Sequence, residues 1–221
     1  MVLLIHHTTS PQSRKMRLIM AEKKMLFVLK EEEPWNLSQK VKEFNPAEDL
    51  PVLVFDGTVI SGNYAITEYL EESNPQYKLL PEDSKQRAEV RRIVDWFDTK
   101  FYNEVYKYIV TEKIIKRFHL KQPPNSKILK AGLNNLKYHM EYIDYLADCN
   151  NYLAGNELTL ADITAAAHLS VIDYLGDISW DEYKNAKLWF SKIKSRPSFR
   201  DILKDNIRGM PPSAHYTNLD F

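Results

Sequence analysis

The chain has 221 residues, 44% of them hydrophobic, enough to bury a core in one domain or in two modest ones. Its 30 basic and 30 acidic side chains cancel, and neither sign gathers into one long block, which argues against a nucleic-acid partner and against an electrostatic membrane anchor. A single cysteine, Cys149, leaves no internal disulfide and no cysteine-based metal cluster, so no metal is expected.

The opening run Met1–Ile5 is apolar but meets His6-His7 within one turn, too short for a signal-peptide core, and no later run approaches a membrane span. The expected location is the cytoplasm. Val2 to His6 reads as a strand covered on both faces. Thr8-Thr9-Ser10-Pro11 carries helix-start chemistry, with Ser10 or Ser13 as cap and Pro11 in the first turn. Met16, Leu18, Ile19 and Met20 give that helix its core side, and Arg14, Lys15, Arg17 and Lys23 are expected on the other. Met25 to Leu29 reads as a second, parallel strand. The Glu31-Glu32-Glu33-Pro34 loop then leads to Trp35 and a helical stretch through Phe44. Trp35, a large aromatic after a charged loop, is either a core plug or a surface anchor.

Pro51 to Phe55 and Thr58 to Ser61 flank Asp56-Gly57, a β-hairpin with the positive-φ turn that Asp-Gly supplies. Gly62-Asn63 opens a helix whose apolar face is Ala65, Ile66, Tyr69 and Leu70. The proline-bearing connector Asn74 to Ser84 marks a domain boundary. The expected organisation is an α/β domain over 1–76, a linker over 77–84, a helical domain over 85–205 and a tail over 206–221.

Beyond the linker, Val90, Val94, Phe97, Phe101, Val105 and Tyr108 recur at helical spacing, as do Leu129 through Ala147, predicting two antiparallel helices broken at Pro123-Pro124. Thr159 and Asp162 form a capping box before a nearly all-apolar helix, Ile163 to Leu175, which is therefore central. A shorter helix is expected around Leu188 to Lys194, with a last turn at Ser198-Phe199. His6, His7 and His168 read as structural histidines, and Cys149 as an inert side chain at a helix end.

Ser10-Pro11 with Arg14 to Arg17, Asn45-Pro46 with Pro51, Ala65-Ile66 with Tyr69-Leu70, Leu153-Ala154-Gly155 with Thr159 to Asp162, and Arg196 to Phe199 together resemble the landmarks of the glutathione transferase superfamily. The resemblance implies a thioredoxin-like α/β domain, an all-helical second domain and a homodimer. It implies glutathione as ligand, with no other cofactor. Ser10, at the N-terminus of the first helix, would stabilise the glutathione thiolate, or it only caps its helix. A cis Leu50-Pro51 bond would present the Leu50 backbone to the peptide part of glutathione. Asn63 falls at the γ-glutamyl anchor, but Gly62 and Asn63 stand where that family has an acidic residue and a serine. Losing a charge-assisted hydrogen bond removes roughly 1.5–3 kcal/mol, about one to two orders of magnitude in affinity.

The tail, Asn206 to Phe221, with its prolines, Arg208, Asp220 and terminal aromatic, exceeds what the fold needs and suits a peptide-like recognition element or a strap packed on its own domain. With Trp35 and the missing anchor, it resembles the transferase-like cell-division factors of alpha-proteobacteria that bind the tubulin-like protein FtsZ. That resemblance implies a non-enzymatic dimeric adaptor contacting FtsZ through Trp35, Arg208 and Asp220. A glutathione transferase acting on electrophiles through Ser10 is the alternative.

Overall fold

A computed structural model describes residues 2–219 of the chain. Its first part is a four-stranded mixed sheet in the order β2-β1-β3-β4. The strands are β1 (Val2–His6), β2 (Val28–Glu31), β3 (Val52–Phe55) and β4 (Thr58–Ser61). β1 pairs parallel to β2 and antiparallel to β3, so Leu4 sits between Leu29 and Leu53. The hairpin closes as the sequence requires: Asp56 and Gly57 both take positive φ, 46° and 85°, matching the twist of the flanking strands.

Three helices accompany the sheet: α1 (Pro11–Glu22), α2 (Gln39–Phe44) and α3 (Asn63–Ser73). β2 begins at Val28, three residues later than expected, because pairing of Leu3 to Val28 through His6 to Glu31 draws Lys30 and Glu31 out of the charged loop. The helix after Trp35 is shorter than expected, covering 39–44 only.

The larger helical domain follows. α4 (Ser84–Asp95) runs on through a π-wound stretch (Trp96–Tyr106), α5 (Lys107–Val110) and a second π-wound stretch (Thr111–Leu120), ending at Lys121 in the left-handed region, φ 54°. α6 (Ser126–Cys149) returns antiparallel, since Tyr142 meets Trp96, Asn135 meets Glu104 and Gly132 meets Tyr108. Gly132 is required there: a Cβ would come within 2.7 Å of the Tyr108 Cβ. The helix after the capping box, α7 (Leu160–Tyr174), is buried along its whole length. Asp162 closes the box and also accepts from Leu153 N–H and Trp189 Nε1–H, both at 2.9 Å. α8 (Lys184–Lys194) starts earlier than expected, and Pro197–Phe199 forms a 3-10 turn.

One hydrophobic core runs through both domains, from Leu4, Met16 and Leu53 to Phe97, Ile163 and Phe199. That continuity overturns the expectation for α1. Its charged side chains do not face water: Arg14, Lys15, Arg17 and Lys23 are all buried, because α1 packs on both α3 and α7. Each is paired, as buried cations must be. Lys15 Nζ meets Asp98 at 2.7 Å, Arg17 meets Asp205 at 2.8 Å and Lys23 meets Glu71 at 2.7 Å. Ala65, expected on the apolar face of α3, is exposed.

Candidate functional site

Ser10 is the N-cap of α1. Its Oγ accepts from the Ser13 N–H at 3.1 Å and donates to Gln12 Oε1 at 3.3 Å, and Pro11 occupies the first turn. The capping role is therefore met. Stabilising a bound thiolate would require the hydroxyl proton to leave Gln12. The preceding loop is held from several sides: Tyr106 Oη donates to the Thr9 carbonyl at 2.9 Å, Arg14 Nε donates to the Thr8 carbonyl at 2.7 Å, and Thr8 Oγ1 donates to Glu31 at 2.9 Å. Burial beside Arg17 lowers His6 to a pKa of about 4, and burial also lowers His7, so both rings are neutral at pH 7. His7 Nδ1 accepts from the Thr9 N–H and hydroxyl.

The Leu50-Pro51 bond is cis. Next in space along the sheet, Gly62 (φ 88°) precedes Asn63, the first residue of α3. Asn63 Nδ2 donates to Asp98 Oδ2 at 2.8 Å. Asp98 also accepts from Lys15 at 2.7 Å and from His168 Nε2 at 3.1 Å. Burial pushes the Asp98 carboxyl up, but the Lys15 cation and the His168 hydrogen bond outweigh it and hold the group well below the usual carboxylate range. His168, lowered by burial, stays neutral and donates. A carboxylate thus does stand beside Asn63, supplied by the helical domain. Its charge is matched by the Lys15 cation at 2.7 Å. Asp98 and Lys15 have no sequence signal that links them to Asn63.

A separate cleft of about 840 Å³ opens between the domains. His7, Thr8, Glu31, Glu33 and Trp35 line one wall, and Phe118, His119, Lys121, Arg208 and Gly209 the other. Trp35 is neither plug nor free anchor. It is half-buried, stacked on His119 at 5.1 Å and 23°, edge-on to His7 at 5.3 Å, and its Nε1 donates to Glu33. The stack joins two rings 84 residues apart in sequence, one from each domain. Trp35 and Arg208 therefore share one site, whereas Ser10, Leu50, Pro51 and Asn63 lie outside its lining. His119 is the partner that sequence reasoning missed. Arg208 is exposed, and Asp220 lies outside the described residues. Among the described residues, no group of three or more His, Cys, Asp or Glu side chains is placed to hold a metal ion, and no helix is long and apolar enough to cross a membrane.

A four-stranded thioredoxin-like sheet with a cis-proline, joined to an all-helical domain, defines the glutathione S-transferase family, and the chain belongs to it. The N-terminal glutathione S-transferase domain matches residues 9–73 and the C-terminal domain residues 120–197. FtsZ-localized protein A of Caulobacter vibrioides (strain NA1000 / CB15N) is 42% identical over 222 residues, covering 99% of this chain and 97% of its own. The crystal structure of a glutathione S-transferase from Rhodospirillum rubrum F11 matches with a TM-score of 0.96 at 45% identity, each chain covered in full. FzlA from C. crescentus matches with a TM-score of 0.96 at 41% identity, covering 100% of this chain and 99% of that one.

Proposed function

We propose that this chain is a non-enzymatic, dimeric adaptor that binds FtsZ filaments in the cytoplasm during cell division. The observation that carries the reading is the state of the anchor: Gly62 has no side chain, and the amide of Asn63 is held by an Asp98 carboxylate already neutralised by Lys15. The likeness to FtsZ-localized protein A along the full chain supplies the partner. The proposed units are 1–76, the linker 77–84, the helical domain 85–205 and the tail 206–221. Trp35 and Arg208, which both line one cleft, are the proposed contact residues, with Asp220 further along the tail in sequence.

The test is co-sedimentation with polymerised FtsZ, using the wild-type chain, Trp35→Ala and Arg208→Ala. Pelleting of the wild type that both substitutions weaken supports the adaptor; failure of the wild type to pellet overturns it. The alternative, a glutathione transferase with Ser10 at the thiolate, is favoured by the position of Ser10 at the α1 N-terminus and by the cis Leu50-Pro51 turn. It requires conjugation of an electrophile that Ser10→Ala abolishes with the fold intact.

A further inference from the structure

The tail does more than extend past the helical domain. It folds back on Tyr174, whose hydroxyl accepts from the Ile207 N–H at 2.9 Å and donates to the Met210 carbonyl at 2.7 Å, while the Tyr174 carbonyl accepts from the Ser213 N–H at 2.9 Å. His215 Nε2 meets Asp173 at 2.7 Å. The chain then buries Tyr216 completely, its ring 5.0 Å edge-on to Tyr174.

The Tyr216 hydroxyl reaches a second domain. It donates to the Ile202 carbonyl at 3.1 Å and accepts from Arg14 Nη1 at 3.1 Å. Arg14 is itself wholly buried, and its Nη1 also donates to Ser170 Oγ at 2.8 Å. Its Nε donates to the carbonyl of Thr8 at 2.7 Å. Thr8 and Thr9 form part of one wall of the cleft, and Arg208-Gly209 of the same tail form part of the other. Among the described residues Arg14 Nη2 makes no hydrogen bond and lies 3.5 Å from Asp205, so the hydrogen bonds of Nη1 and Nε set the position of the planar group. The tail thus acts on the cleft twice, directly through Arg208 and through the buried path Tyr216, Arg14, Thr8.

We propose that the C-terminal tail is a built-in latch on the interdomain cleft: docked Tyr216 fixes Arg14, Arg14 fixes the Thr8 carbonyl, and release of the tail frees the Thr8–Thr9 wall. Any partner that peels the tail away therefore reshapes the cleft, and any partner that tightens the Thr8–Thr9 wall favours the docked tail, because coupling between two sites is reciprocal. The coupling is internal to the chain and holds whichever partner occupies the cleft.

The test is site-resolved amide hydrogen exchange on the full-length protein, wild type against Tyr216→Phe and Arg14→Lys. Tyr216→Phe keeps the buried ring and removes only the hydroxyl. Exchange at Thr8, Thr9 and Ser10 should rise about tenfold, the equivalent of one lost buried hydrogen bond, while Ile207 and Ser213, which bond to Tyr174, keep their wild-type rates. Arg14→Lys should loosen the same three amides. Unchanged exchange at Thr8 to Ser10 in Tyr216→Phe would overturn the latch. So would a rise spread over α7 and the core, or failure of both variants to fold, since either would make the contact a general support of the fold.

Discussion

Lys15 and Asp98 meet at 2.7 Å across the domain interface, with the lysine side chain 1% exposed and the aspartate 15%. This pair decides two things at once. It lets a charged face of α1 be buried, and it neutralises the only carboxylate that hydrogen-bonds Asn63 among the described residues.

Asp98→Asn leaves Lys15 as a buried cation without its counter-charge, and removing one partner of such a pair costs about 3–5 kcal/mol. Urea denaturation should show that loss as a lower midpoint at unchanged slope. Adding Lys15→Met in the Asp98→Asn background should recover most of it. A single-variant loss under about 0.5 kcal/mol, the scale of an ordinary surface substitution, would show that the pair contributes little.

Gly62→Glu tests whether the anchor can be regained. Gly62 holds φ 88° and ψ 123°, a sparsely populated region where an L side chain is strained by about 1–3 kcal/mol. The variant should be less stable by that amount and should still give no calorimetric heat with reduced glutathione up to about 10 mM, beyond the millimolar range. Sub-millimolar binding by the variant or the wild type would restore the transferase reading.

Trp35→Ala should separate binding from stability. Its stack on His119 is worth about 0.5–1.5 kcal/mol beyond burial, so thermal denaturation should shift modestly. Affinity for FtsZ filaments should fall at least about tenfold, as for an aromatic hot spot. Equal pelleting of variant and wild type would remove Trp35 from the interface.

Stability should fall with acid in a window to which His6 contributes together with the other histidines lowered by burial, His7, His139 and His168. Burial lowers the folded pKa of His6 from 6.5 to about 4, so the proton binds the unfolded chain more readily. Its stabilising contribution is complete above pH 6.5 and is lost as pH falls from there through about 4, a change of roughly 3 kcal/mol. His6→Gln should flatten denaturation midpoints measured between these limits. A wild-type stability that does not change across the window would refute the assignment.

What the sequence determined by itself is what lies close along the chain. The Asp56-Gly57 hairpin, the Ser10 cap and the Thr159–Asp162 capping box follow from spacings of a few residues and appear as expected, as do the stripes of the long helices except at Tyr108, which is exposed because the π-wound stretch before it shifts the buried face to Tyr106, Ile109 and Val110. The anchor mismatch at Gly62-Asn63 was legible for the same reason. Tertiary structure decided the rest. A pattern of cations on α1 reads as a solvated face until packing supplies Asp98, 83 residues away, and Tyr216, 202 residues away. The edge of β2 was set by pairing with β1, and the place of Trp35 by His119 from the other domain. Local periodicity fixes which side of a helix is apolar; only the full packing says whether its polar side meets water or a partner.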